Sequence, residues 1–221
     1  MRDQHENCRR TQTDEARTLT AMLSGKDLCL LRGDRCLFQN LNFALNSGEL
    51  LLVEGKNGCG KTSLLRAIAG LLEFETGQVD WNGQSIMADH QVFCSDLVWL
   101  SHRVGFKGDL TLVENLSFET GLRATSADLL EPSLDRLGLT PLTGLPFRAL
   151  SAGQQRRVAL ARMLMAKAPL WMMDEPFTNL DSGGQALVRE LIAEHLAGNG
   201  LCVVASHQDI QLDAPVIRVP L

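Results

Sequence analysis

The period of apolar and polar positions changes several times along the chain, and each change predicts an element. Over residues 23–45 short apolar runs are broken by Arg32-Gly33-Asp34-Arg35, which predicts a hairpin of antiparallel strands with a polar turn. A second turn follows at Asn46-Ser47-Gly48. The run 49–54 then predicts a buried strand, residues 55–60 a glycine-rich loop, and the spacing over 62–72 a helix. Between residues 85 and 148 the pattern becomes mostly helical, with boundaries at Pro132, Gly138, Pro141 and Pro146, and a further helix is predicted from about 153 to 166. Strand-like runs at 170–173 and 201–205 flank a predicted helix over about 184–196. That alternation predicts an α/β fold with a mostly parallel core sheet, an N-terminal antiparallel β subdomain and an inserted α-helical subdomain at about 85–165.

The first 20 residues do not join this pattern. They are polar, mixed in charge and almost without large apolar side chains, so they add little core. Residues 1–21 are therefore expected to be a disordered extension, with Met22 as an alternative start and residues 22–221 as one domain.

Composition narrows the setting. A chain of 221 residues can bury a core without disulfides or a structural metal. Its six cysteines (Cys8, Cys29, Cys36, Cys59, Cys94, Cys202) include no Cys-x-x-Cys pair and no zinc-ligand spacing with histidine, which implies free thiols in a reducing compartment. The formal net charge of -5 gives no general reason to expect nucleic acid as a partner. No apolar run approaches the roughly 20 residues of a membrane-spanning helix, so if a membrane is involved another polypeptide is expected to cross it.

Gly55, Lys56, Asn57, Gly58, Cys59, Gly60, Lys61 and Thr62 satisfy the pattern G-x-x-x-x-G-K-[ST], followed by Ser63, between a predicted strand and a predicted helix. In that context the backbone N–H groups and the helix N-terminus point at a triphosphate, Lys61 neutralises its β and γ oxygens, and Thr62 ligates Mg²⁺. Far downstream an apolar strand ends in Asp174 and Glu175. The carboxyl edge of an open α/β sheet is where its ligands bind. Asp174 is therefore expected in the Mg²⁺ shell, and Glu175 is expected to accept a proton from water lined up on the γ-phosphate. Taken alone, two acids at a strand end are as readily a solvated edge. Cys59 reads as a small spacer within the loop.

The run Leu150-Ser151-Ala152-Gly153-Gln154-Gln155-Arg156-Arg157 resembles the LSGGQ signature of ABC ATPases, with Ala152 in place of the first glycine. The resemblance extends to Thr178-Asn179-Leu180-Asp181 as a D-loop, to Ser206-His207 as the switch histidine and to Val79-Asp80-Trp81-Asn82-Gly83 as the early core hairpin. It implies an ABC-type ATPase that binds ATP and Mg²⁺. It also implies that the signature residues Ser151, Gly153 and Gln154 of one subunit close over the ATP held by another, so that a homodimer is part of catalysis, and that Asp181 of the D-loop is a further nucleotide-binding residue. Ser151 serves equally well as a helix N-cap, and both roles are expected together.

Two positions depart from the family pattern. His102 stands where most ABC ATPases carry the Q-loop glutamine, and Arg32 stands where an aromatic residue usually stacks on adenine, in a chain with no tyrosine. His102 is expected to act beside Glu175 and His207, either coupling differently to the membrane subunit or making hydrolysis pH-sensitive, and Arg32 either to offer its guanidinium plane to the base or to leave the stacking weak.

His102 within its segment, the alanine-containing signature and the run Asp174-Glu175-Pro176-Phe177-Thr178-Asn179-Leu180-Asp181 together resemble the cytochrome c maturation branch of that family, over about residues 23–221. This implies transmembrane permease subunits as partners, a peripheral place on the cytoplasmic face of the inner membrane, and haem export or handling as the work driven. No Cys-x-x-Cys-His pattern occurs, so no direct haem binding is expected. An ABC subunit for another cargo, and an ATP-driven switch that remodels a membrane complex without transport, both remain open on sequence.

Overall fold

A computed structural model of the chain describes residues 22–102, 104–122 and 127–221, and the extension expected over 1–21 lies outside them. Strands β1 (Leu23–Arg32) and β2 (Arg35–Leu45) run antiparallel about the Gly33-Asp34 turn. β1 also pairs with β4 (Thr76–Trp81), which pairs with the short β5 (Gln84–Ser85), giving a four-stranded antiparallel sheet of order β2-β1-β4-β5.

A second sheet holds β3 (Leu50–Glu54), β6 (Leu97–Leu100), β7 (Leu170–Asp174), β8 (Leu201–Ser206) and β9 (Val216–Pro220) in the order β6-β7-β8-β3-β9, all parallel. Side chains alternate across a strand, so this sheet feeds two cores. Leu50, Leu52, Trp171, Met173, Cys202 and Val204 face one, where Leu116, Val158 and Leu191 of the later helices meet them. Leu51, Val53, Leu170, Met172, Leu201 and Val203 face the other, where Leu23, Phe43 and Trp81 of the antiparallel sheet meet them. Burial on both faces explains why these strands read as unbroken apolar runs.

Six α-helices lie among the described residues: α1 (Lys61–Ile68), α2 (His90–Asp96), α3 (Leu112–Leu122), α4 (Leu130–Arg136), α5 (Ala152–Ala166) and α6 (Ser182–Ala197). Leu112 and Leu116 of α3, Leu134 of α4, and Phe147 and Leu150 before α5 pack into one cluster with Val158 and Leu160 of α5. Thr111 and Glu114 form reciprocal bonds at the start of α3, with Thr111 N donating to Glu114 Oε2 at 2.7 Å and Glu114 N to Thr111 Oγ1 at 3.2 Å. The Thr111 N–H, and after it the Thr111 hydroxyl donating to the same oxygen at 2.8 Å, hold the Glu114 carboxyl below its ordinary value. Buried Asn115 then accepts from Lys107 N at 2.8 Å and donates to the Lys107 and Thr111 carbonyls, fixing the loop that leads into the helix.

Three elements depart from the sequence reading. β6 lies inside the stretch expected to be mostly helical: four residues carry too little periodicity to separate from the helical pattern around them, and only pairing with β7 fixes their state. β9 has no sequence counterpart, being a short edge strand that ends in Pro220. The first helix stops at Ile68 instead of continuing to residue 72. Gly70 takes φ 72°, its N–H meets the Ala67 carbonyl at 3.0 Å, and the Leu71 N–H meets that of Arg66 at 2.8 Å, a left-handed cap that glycine favours.

Because the second sheet is parallel, β3, β6, β7 and β8 all end at the same edge. The loops that leave them carry residues 55–60, Ser101 and His102, Glu175, and His207. The topology gathers the candidate chemistry there.

Candidate active site

The loop between β3 and α1 is shaped by its glycines. Gly55 adopts φ 153°, and a Cβ on it would lie 2.6 Å from Cys59 Sγ and 2.8 Å from the Leu221 carbonyl oxygen, so no side chain fits. Lys61, 6% exposed at the start of α1, folds back over the loop. Its Nζ donates to the Gly55 carbonyl at 2.8 Å and lies 3.5 Å from that of Lys56. The same Nζ stands 3.4 Å from Glu175 Oε1. Next to it, Thr62 Oγ1 donates to Asp174 Oδ2 at 2.8 Å, joining the start of α1 to the end of β7. Asp174 is 3% exposed.

Glu175 follows Asp174 immediately but points elsewhere, because its φ of 48° turns the chain out of the strand. Its carboxylate is shared between Lys61 through Oε1 and His207 through Oε2, the latter at 2.8 Å from Nδ1. His207 stands just past β8, with half of its side chain exposed. One carboxylate thus joins the loop after β3, the end of β7 and the end of β8. Such a carboxylate, largely shielded and held by a cation and an imidazole, is placed to take or orient a proton at the mouth of the site.

This turn is clamped from below by Arg156 of α5, which is 5% exposed. Its guanidinium donates to the carbonyls of Ser101 at 2.8 Å, Asp174 at 3.0 Å, Glu175 at 2.7 Å and, more loosely, Pro176 at 3.4 Å. Burial pushes its pKa down to about 10, against the pull of the Asp174 and Glu175 charges. One buried cation therefore fixes the backbone of both acids and the segment leading to His102. Arg162, one helical turn and a half further on, adds bonds to the Trp99 carbonyl at 2.9 Å and that of Val104 at 3.4 Å. Sequence reading passed over both: a cation within a helix is ordinary, and α5 carries three of them, Arg156, Arg157 and Arg162.

A cavity of about 520 Å³ opens over this cluster. Of the residues expected to form the site, Arg32, Asn57, Gly58, Gly60, Lys61, Thr62, Ser63, His102, Asp174, Glu175 and His207 line it, together with Thr178. Gly55, Lys56 and Cys59 belong to the loop beneath it without lining it. Ser151, Gly153, Gln154 and Asp181 are not among its walls either. Ser151 and Gln154 instead make reciprocal capping bonds at the start of α5, with Ser151 N donating to Gln154 Oε1 at 2.8 Å and Gln154 N to Ser151 Oγ at 3.3 Å. Asp181 caps α6 by accepting from Gly184 N at 2.8 Å. The ends of these two helices are adjacent, since a Cβ on Gly153 would lie 3.1 Å from the Asn179 carbonyl oxygen.

No helix among the described residues is long and apolar enough to cross a membrane. No group of three or more His, Cys, Asp or Glu side chains that could hold a metal ion occurs among them.

Comparison with known proteins gives the same direction. The family model described as "ABC transporter" matches residues 38–178. The "Cytochrome c biogenesis ATP-binding export protein CcmA" of Vibrio cholerae is 41% identical over 199 residues, covering 89% of this chain and 96% of that protein. The protein of the same name from Methylococcus capsulatus is 44% identical over 194 residues, covering 87% and 94%. Among solved structures, a "Putative ABC transporter (ATP-binding protein)" from Pyrococcus furiosus superposes with a TM-score of 0.78 at 22% identity, over 89% of this chain and 96% of that one. A "Structure of ATP binding subunit of ABC transporter" gives 0.77 at 23% identity, over 85% and 80%. At that identity the structural likeness establishes the fold alone.

Proposed function

This chain belongs to the ABC transporter family, and from that premise we propose that it is the ATP-hydrolysing subunit of an exporter serving cytochrome c biogenesis, with haem as the cargo handled by its membrane partners. The observation that carries the hydrolytic part is the shared carboxylate of Glu175, held between Lys61 and His207 above the glycine loop. The biological part rests on relatives whose printed names say cytochrome c biogenesis and whose lengths this chain nearly spans.

In this reading the triphosphate of ATP lies along residues 55–63, where the loop N–H groups and the start of α1 face it. Lys61 exchanges its contact with Glu175 for the β and γ oxygens, which frees the carboxylate to orient the attacking water and accept its proton. His207, bonded to that carboxylate through Nδ1, keeps it aimed and faces the γ-phosphate from the other side. His102 lines the same cavity and stands near the attacking water. Arg32 lies under the base as a flat cation.

The donors at Thr62 Oγ1 and the buried Asp174 carboxylate suit Mg²⁺, a hard ion that takes few protein oxygens and keeps water and phosphate as its remaining ligands. Thr62 and Asp174 would hold it, and when bound it neutralises charge on the β and γ oxygens.

Ser151, Gly153, Gln154 and Asp181 act on the nucleotide of a second copy, in a head-to-tail homodimer. Their position outside the chain's own cavity supports this, as does the exposure of Ser151. The dimer sits peripherally on the cytoplasmic face of the inner membrane, against permease subunits that cross it.

The test is affinity purification from a membrane extract with a Glu175→Gln variant, which is expected to hold the ATP-bound dimer. Co-purification of cytochrome c maturation permeases supports the assignment. Permeases of another system would leave the ATPase standing and overturn its biological role.

A further inference from the structure

The segment that follows β8 bears His207 but no regular structure: residues 207–215 form neither helix nor strand. Something must hold the imidazole against Glu175. Within the segment, Gln208 N donates to Ser206 Oγ at 2.9 Å, and Ile210 is buried to 1% exposure in the helix-side core. The third tie comes from outside it. Arg218 of β9, level with Leu52 in the register, reaches along the sheet and donates to Asp209 Oδ1 at 2.7 Å and to Glu54 Oε1.

The placing of those two carboxylates gives the contact its meaning. Asp209 lies two residues beyond His207, and Glu54 immediately precedes Gly55, where the phosphate loop begins. A closed ring results. Arg218 meets Glu54; the next residue, Gly55, takes the Lys61 ammonium on its carbonyl; Lys61 meets Glu175; Glu175 meets His207; and Asp209 returns to Arg218. Only a forked cation bridges two separately placed carboxylates with directed bonds, which an ammonium does poorly. The Asp209 carboxyl is held below its ordinary range by the Arg218 bond.

We infer that Arg218 is a positioning residue for hydrolysis: it fixes the His207 segment to the base of the phosphate loop, so that imidazole, carboxylate and ammonium keep their spacing. It does not line the cavity over the phosphate loop, so it acts through the residues it holds. The inference rests on the reading of Glu175 and His207 as the hydrolytic pair.

The test is a kinetic cycle on the full chain. Arg218→Gln is expected to lower kcat roughly five- to tenfold, below the ~100-fold that a 1 Å misplacement costs, with KM for ATP within about twofold of the original. Arg218→Lys recovers part of the loss. In a His207→Ala background, followed with radiolabelled ATP to capture the residual rate, Arg218→Gln has no further effect, because the group it positions is gone. Asp209→Asn, which breaks the same tie from the other end, repeats the pattern if Arg218→Gln folds poorly. An equal loss in both backgrounds, a rise in KM at constant kcat, or no loss overturns the inference. Wild-type turnover by Glu175→Gln and His207→Ala themselves would instead overturn the reading of the hydrolytic site, which keeps the two failures apart.

Discussion

Replacing Arg156 by methionine keeps the stem of the side chain and removes the guanidinium, and the structure fixes what that costs. Three well-formed bonds vanish, to the carbonyls of Ser101, Asp174 and Glu175, along with the longer one to Pro176. The Glu175 carbonyl keeps Thr178 N at 3.3 Å, but those of Ser101 and Asp174 lose this donor; at about 1–3 kcal/mol for each buried acceptor that loses its donor, the loss is roughly 2–6 kcal/mol. Against this stands relief from burying a charge. The drop of the Arg156 pKa to about 10, in which burial outweighs the pull of the Asp174 and Glu175 charges, corresponds to a net penalty of about 3 kcal/mol on the charged form that methionine does not incur. The net expectation is a loss of up to about 3 kcal/mol, reaching the low end of the range seen when one member of a buried charged network is removed. At that upper bound the melting temperature of a domain of this size falls by roughly 6–12 °C. The consequence for chemistry is local. Glu175 sits at φ 48°, a backbone conformation that costs about 1–3 kcal/mol and persists only where surrounding bonds hold it. Without the clamp that turn relaxes, and turnover falls even at temperatures where the variant is folded. The sign of the pH effect follows too. The folded-state pKa lies below the ordinary arginine value, so the unfolded chain binds the proton more tightly and the original protein gains stability as pH rises through 10, a gain the methionine variant lacks. Urea unfolding at pH 7 and again above pH 10, with ATPase assays on the pH 7 samples, tests all of this. A variant within 1 kcal/mol of the original, with unchanged turnover, would refute the clamp.

Further outcomes follow from other contacts. Glu175→Gln is expected to lower turnover by at least ~100-fold while nucleotide binding, followed by a fluorescent ATP analogue, persists; retained hydrolysis would remove Glu175 from its role. Gly55→Ala forces a Cβ into Cys59 Sγ and the Leu221 carbonyl at a φ of 153°, and is expected to cost about 1–3 kcal/mol together with most of the nucleotide affinity, measured by calorimetry. His195 stacks on Trp171 with ring centres 4.1 Å apart, and its Nε2 lies near the carbonyls of Pro169 and Leu201. Burial pushes its pKa below the ordinary value of 6.5, so the unfolded chain takes up the proton first and stability falls as pH drops below about 6.5. Melting temperatures of His195→Gln between pH 7.5 and 5 should fall less steeply than those of the original protein.

The sequence was most legible where one residue type is needed for one task. The glycines and Lys61 of the phosphate loop, the acids at the end of β7 and the paired strands β1 and β2 all carry local signals, in spacing or in turn chemistry. β6 and β9 were not legible, because each is four or five residues long and exists only through pairing with β7 or β3. The roles of Arg156 and Arg218 were hidden for a related reason. A cation in a helix or on an edge strand is ordinary in sequence, and only the fold shows that one reaches four carbonyls and the other two carboxylates.

The order β6-β7-β8-β3-β9 bears on how the protein is made. The strand that carries the phosphate loop is the third in sequence, yet both of its sheet neighbours, β8 and β9, emerge from the ribosome only after β4 to β7 and all six described helices have been made. Until then β3 has nothing to pair with, and the nascent chain must carry the exposed run Leu50-Leu51-Leu52-Val53 through the synthesis of everything between. Nucleotide therefore cannot serve as a folding ligand for a partial chain. It stabilises only the finished product, and a chaperone that shields that run would act before ATP does.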